Sequence, residues 1–307
     1  MRKKYVIAVP ILITLVLIAF SSWDSVFVRA QEFFYHMYYS NQPKSVTSRI
    51  EIKTLTSKLL QNSSREVRIY IPEAYDKYPS THFPTLYLLH GYPGSNADWL
   101  TNTNLQGKLD SLIKSGTIPS MIVIFPDGNG PVVHDSQYLN ATIVNQPMES
   151  HLTRELIPFI DSQYRTDKRR EKRAIGGISS GAYGAINIGL RNNELFGFIF
   201  SHSGYFMNRE AALPDLLGSN KQKIQENNPL EYMKKQTLDP KTYIYFDIGK
   251  ADSRAFIKDN QDFDKLLKQR SIPHTLKLTN GWHNWNAWAE NIFFSLQEYS
   301  YFLKKYN

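Results

Sequence analysis

The period of the apolar positions changes several times along the chain, and each change marks an element. Arg2, Lys3 and Lys4 are followed by an unbroken apolar run from Tyr5 to Phe20, the layout of an export signal. Val28-Arg29-Ala30 offers a cleavage site, whereas Trp23, Val26 and Phe27 extend the run toward a membrane anchor of about 20 residues. Both outcomes stay open. In either, the N-terminal cations stay in the cytoplasm and the remainder works outside it, anchored to the membrane or secreted. Residues 1–30 are thus signal peptide or anchor, 31–49 an aromatic and polar linker, and 50–307 the folded domain.

Two-residue alternation at Ile50, Ile52 and Leu55, and again at Val67, Ile69 and Ile71, predicts two antiparallel strands joined through Gln61-Asn62-Ser63-Ser64. Beyond Pro72 the pattern switches to apolar runs separated by helical spacing. Strands are predicted at Thr85 to Leu89, Met121 to Phe125, Ala174 to Ile178, Phe196 to Phe200, Tyr243 to Ile248 and His274 to Leu278. Helices are predicted at Leu105 to Lys114, Glu149 to Tyr164, after Ile178, at Phe256 to Lys268 and at Asn284 to Lys304. Continuous apolar strands alternating with helices imply one α/β domain, its mainly parallel sheet covered on both faces. Functional loops then gather at the carboxyl ends of the strands.

The most specific local signal follows the strand at Ala174 to Ile178. Ser179 has Gly177 two places before it and Gly181 two places after. Gly-x-Ser-x-Gly between strand and helix is the layout of a nucleophile elbow, which lifts a serine hydroxyl above the sheet. The glycines are needed because the arms of the turn pass too close for a Cβ, and the serine is expected in strained backbone. Ser180 fits less well, since Ile178 and Ala182 would then stand where the glycines belong. In a chain of this length the pattern arises by chance about one time in ten, so partners decide.

A serine nucleophile needs a base, and the base an orienting acid. Of the eight histidines, His283 in Asn280-Gly281-Trp282-His283-Asn284-Trp285 stands just past the last strand. Its competing role is to cap the final helix. The chain order Ser, acid, His puts the acid between Ser179 and His283. Asp252 lies in the loop beyond a strand end and competes with a helix N-cap role. Asp247 lies inside that strand, and Asp215 and Asp239 follow no clear strand. An oxyanion hole needs two backbone N–H groups: Ser180, after the nucleophile, and Tyr92, in the loop Leu88 to Gly94. His90 in the same loop reads as structural.

Composition narrows the class. With 42% hydrophobic residues in 307 there is ample core, which excludes a disordered chain. The absence of cysteine excludes thiol catalysis, disulfides and cysteine-ligated metal. The net charge of +8 is spread out, and its densest block, Lys168 to Arg173, reads as a solvated loop feeding the elbow strand. No aromatic interleaving accompanies it, so nucleic acid is not an expected partner.

Five blocks carry a resemblance: His90-Gly91-Tyr92-Pro93-Gly94-Ser95 with Asp98-Trp99, Glu155-Leu156-Ile157-Pro158, Gly177-Ile178-Ser179-Ser180-Gly181, Gly249-Lys250-Ala251-Asp252, and Gly281-Trp282-His283-Asn284-Trp285. In this order, over residues 50 to 303, the chain resembles the esterase family of α/β-hydrolases that holds esterase D, feruloyl esterases, siderophore esterases and mycolyltransferases. The resemblance implies Ser179 as nucleophile, Asp252 as acid, His283 as base, and no metal or organic cofactor. It implies a small or polymer-linked ester as substrate, hydrolysed through an acyl-enzyme. The alternatives are acyl transfer to a sugar or envelope acceptor, and an idle hydrolase fold used for binding at the cell surface. One departure, Ser180-Gly181-Ala182 where many members have Met-Gly-Gly, alters the acyl pocket and leaves the donor N–H intact. Trp282, Tyr205 and Phe206 are candidate pocket residues, while Trp285 and Trp288, at helical spacing, read as packing. The segment Asn208 to Asp239 reads as a cap, in which Leu216 and Leu217, with Met207 and Leu213, are candidates for acyl selection.

Overall fold

Four of the strands have no residue facing water, because each lies in the middle of a sheet covered on both sides. They are β3 (Thr85–Leu89), β4 (Ile122–Pro126), β5 (Arg173–Ile178) and β6 (Phe198–His202). The computed structural model describes residues 48–206 and 213–306. The expected signal or anchor, nearly all of the linker and Met207 lie outside the described residues. Among those described, no helix is long and apolar enough to cross a membrane.

The chain enters as an antiparallel hairpin, β1 (Arg49–Ser57) and β2 (Ser63–Ile71). After β5 come β6 (Phe198–His202), β7 (Tyr243–Gly249) and β8 (His274–Thr279). The eight-stranded sheet runs β1-β2-β4-β3-β5-β6-β7-β8. The hairpin is antiparallel to β4, and every pair from β4 to β8 is parallel. It is therefore mixed and mainly parallel. Helices α1 (Asp98–Thr103), α2 (Leu105–Lys114), α3 (Ile157–Gln163), α4 (Ser179–Arg191), α5 (Arg254–Gln269) and α6 (Trp285–Lys305) cover it. Trp99, Leu109, Trp288, Leu296 and Tyr299 of α1, α2 and α6 join one core. Ile160, Ile186, Phe263 and Leu267 of α3, α4 and α5 join the other. This is an α/β-hydrolase fold.

Several elements differ from expectation, three of them in ways that bear on the packing. The hairpin turn comes earlier, at residues 58–62. β6 begins and ends two residues later than its apolar run, because Ser201 and His202 are fully buried and His202 is hydrogen-bonded inside the fold. The helix expected from Glu149 to Tyr164 contains a π turn at Leu152–Leu156. Pro158 has no N–H to return to the Arg154 carbonyl, so the ladder is already broken there. The wider turn carries Glu155 to the hairpin, where its carboxylate accepts from Ser57 Oγ (2.5 Å) and the amides of Lys58 (2.9 Å) and Leu59 (3.1 Å).

Parallel register brings the working ends together. Leu89 lies beside Gly177, Ile178 beside His202, and Gly249 beside Thr279. The loops after β3, β4, β5, β7 and β8 therefore open on one edge.

Candidate active site

Ser179 is the first residue of α4 and sits at a φ of 51°, in the left-handed region that serine disfavours. The turn that imposes this conformation is as tight as the spacing implies. A Cβ on Gly177 would lie 2.6 Å from the Gly181 carbonyl group, and one on Gly181 would strike the His90 carbonyl.

His283 meets this serine from the loop after β8. Its Nε2 lies 2.9 Å from Ser179 Oγ, and its Nδ1 lies 2.9 Å from Asp252 Oδ2. With the proton on Nδ1 donated to the carboxylate, Nε2 is free to accept from the hydroxyl. Asp252 comes from the loop after β7, which is laced to the His283 loop by Lys250 N to Thr279 O (2.8 Å) and Ala251 N to Gly281 O (3.2 Å). The Asp252 side chain is 1% exposed, and its second oxygen accepts from the Ser253 amide at 2.6 Å. Neither competing capping role is filled by these residues: Ser253 is the N-cap of α5, and Asn284 caps α6 by accepting from Ala287 N. The imidazole is flanked by Phe256 (centroids 5.5 Å apart) and, edge to face, by Trp288 (5.1 Å, 84°).

The segments that carry the expected oxyanion donors lie beside the same serine. The Ser180 amide is in the first turn of α4, where no intrahelical acceptor exists. The loop after β3 passes so close that a Cβ on Gly91 would lie 3.2 Å from Ser179 Cβ. The next amide, of Tyr92, makes no hydrogen bond with a described residue. His90 is 4% exposed and bonded to backbone, the structural role expected of it. The loop after β4 also supports this wall, since Asn129 Nδ2 donates to Gly94 O at 2.7 Å. Its place after a buried strand ending in Pro126-Asp127-Gly128 was the available signal for that role.

A second Ser–His–Asp arrangement lies inside the protein. His202 Nδ1 is 2.6 Å from Asp247 Oδ2, and His202 Nε2 is 3.1 Å from Ser295 Oγ. All three residues are 0% exposed. Ser295 also donates to Ile292 O, and Asn291 to Asp247 Oδ1. No ester carbonyl reaches this serine. The group ties β6, β7 and α6 together beneath the open site.

The aromatic residues divide as their surroundings dictate. Trp285 and Trp288 interlock edge to face, with Trp99 against Trp285. Phe206 is buried against Phe263. Tyr205 is stacked between Tyr183 and Phe256, the ring that also flanks His283. Trp282 is 52% exposed beside the base. Of the expected cap, short helices occur at Leu213–Leu217, Lys221–Glu226 and Pro229–Tyr232. Leu216 and Leu217 pack with Leu139, Ala141 and Tyr183 in a small core of their own. Among the described residues no cluster of three or more His, Asp or Glu is placed to hold a metal ion.

The sheet, and a serine hydrogen-bonded to a histidine at its carboxyl edge, define a serine esterase of the α/β-hydrolase superfamily. Within that class, residues 57–299 match the family described as Putative esterase, and the chain belongs to that family. An acetyl esterase of Caldicellulosiruptor saccharolyticus is 27% identical over 263 residues, covering 77% of this chain and 92% of that protein. An esterase of Mycobacterium tuberculosis is 25% identical over 71% of this chain, which spans 52% of the longer relative. Among solved structures, a ferulic acid esterase superposes with a TM-score of 0.75 at 25% identity, covering 84% of this chain and all (100%) of that one.

Proposed function

We propose that Ser179, His283 and Asp252 are the catalytic triad of an exported carboxylic-ester hydrolase. The observation that carries this reading is the unbroken line from Asp252 Oδ2 through His283 to Ser179 Oγ, with both contacts at 2.9 Å. It lies at the strand ends where ester can enter, unlike the sealed group around Ser295. Ser179 Oγ attacks the ester carbonyl while His283 Nε2 takes its proton. The Tyr92 and Ser180 amides hold the oxyanion of the tetrahedral intermediate. The C–O bond to the alcohol then breaks, and the imidazolium returns its proton to the leaving oxygen. Water, deprotonated by the same imidazole, attacks the acyl-enzyme and releases the acid. Asp252 keeps the imidazole in the tautomer that can accept, and stabilises it while charged.

Kinship with an acetyl esterase and a ferulic acid esterase makes acetyl and hydroxycinnamoyl esters the first acyl groups to try. Export rests on Arg2 to Lys4 and the apolar run after them. The test is a panel of acetyl, longer acyl and feruloyl esters, with and without sugar acceptors, on the wild type and Ser179→Ala. Hydrolysis lost in the variant supports the reading. Retained hydrolysis refutes it, and product accumulating only on the acceptor favours the transferase.

A further inference from the structure

The geometry points to His90 as a positioning residue that aims the Tyr92 N–H at the oxyanion. The inference rests on the reading of Ser179 as nucleophile and of Tyr92 and Ser180 as oxyanion donors.

Hydrogen-bond polarity fixes the state of the ring. The Gly128 amide donates to His90 Nε2 at 2.8 Å. A ring nitrogen that accepts an N–H carries no proton of its own, so in the neutral imidazole the proton is on Nδ1. Nδ1 lies 2.8 Å from Gly91 O and donates to it. Asp127 Oδ1, at 3.4 Å from Nε2, is too distant to reverse this assignment and already accepts from the Asn129 amide at 2.8 Å.

The Gly91 carbonyl and the Tyr92 N–H belong to one trans peptide unit, so they point in opposite directions. Holding the carbonyl on His90 Nδ1 turns the N–H the other way. No described residue accepts from that N–H, which belongs to the loop that passes Ser179. The loop is held a second time at Gly94 O by Asn129. The Tyr92 amide thus sits between two carbonyls anchored to the loop after β4. Without the Nδ1 donor the peptide is free to rotate, and the oxyanion loses an oriented dipole that costs no reorganisation during reaction.

Two substitutions separate aiming from simple support. His90→Gln keeps an acceptor for the Gly128 amide and removes the donor at Nδ1. His90→Asn keeps a donor at the Nδ1 position and removes that acceptor. The expected result for His90→Gln is a kcat lower by about 10–100-fold with KM within about twofold, since the donor acts on the transition state. Affinity for a boronic acid, which forms a tetrahedral adduct on the serine, falls by the same factor. His90→Asn brings kcat back to within about threefold of wild type, whatever the two melting temperatures. A wild-type kcat in His90→Gln, or equal losses in both variants, overturns the inference. Ser179→Ala is run in the same assay: activity there would sink the site reading itself, whereas a dead Ser179→Ala with an unaffected His90→Gln sinks only the role of His90.

Discussion

Serine in the left-handed region is a local contradiction, and Ser179 is held there by a turn so tight that a Cβ at Gly177 or Gly181 would strike backbone. That logic was readable from spacing alone, as were Asp252 and His283, since each falls just past a strand that its apolar run announces. The inner group around His202 was not readable. Its residues lie far apart in the sequence, and nothing local distinguishes a buried histidine in a strand from an exposed one. The two groups make opposite predictions. Asp252→Asn removes the charge that orients His283 and is expected to lower kcat by roughly 10³–10⁴-fold, measured on a chromogenic short-chain ester. Ser295→Ala leaves a buried imidazole short of a partner and is expected to cost about 1–3 kcal/mol in urea unfolding, with kcat within about twofold of wild type. Activity lost in Ser295→Ala with the stability unchanged would move the chemistry inward and contradict the account.

Elements were legible where their residues face one environment. β3, β4 and β5 are buried throughout, and their apolar runs located them to within a residue. β6 was displaced because its last two residues, Ser201 and His202, are polar yet fully buried, a combination that periodicity reads as the end of a strand. The π turn was invisible for a similar reason: Glu155 serves the β1–β2 hairpin as well as His151 of its own helix. At the elbow, Gly181→Ala drives a Cβ into the His90 carbonyl. The expected cost is about 3 kcal/mol in thermal or urea unfolding, with loss of esterase activity. A fully active and equally stable Gly181→Ala would mean that the turn is looser than described.

The hairpin contact also sets a pH dependence. His151 Nδ1 lies 2.8 Å from Glu155 Oε2. Burial holds the pKa of His151 below 6.5, with the Glu155 hydrogen bond pulling the other way and losing. The unfolded chain therefore takes up a proton at a higher pH than the folded one. Its contribution to stability is complete above about pH 6.5 and is lost as pH falls through the lower folded value. For Glu155, burial raises the pKa, but hydrogen bonds from His151, Ser57 and the Leu59 amide outweigh it. That contribution is present above the unfolded value and is also lost on acidification. The melting temperature is expected to fall between about pH 7 and pH 4.5, and to fall less steeply in His151→Gln. Identical slopes would remove His151 from the explanation.

At the scale of the whole molecule, every residue assigned to the site lies on one compact unit of the described chain. Continuous strands and intervening helices revealed that architecture, whereas the antiparallel entry made the sheet mixed. A chain beginning at Ser45 is accordingly expected to fold and to match the full chain in kcat within about threefold, because the residues assigned to the site all lie within that unit. N-terminal sequencing of the native protein addresses export: Met1 retained in the membrane fraction fits an anchor, and a mature N-terminus at Gln31 fits a cleaved signal.

The central claim is that one serine, Ser179, is the nucleophile. The most direct measurement is covalent labelling of the intact folded protein with a fluorophosphonate, followed by mass spectrometry of its peptides. A single adduct is expected on Ser179, absent from Ser179→Ala and lost in His283→Ala, with Ser180, Ser203 and Ser295 unmodified. An adduct on Ser295, or labelling that persists in Ser179→Ala, would contradict it.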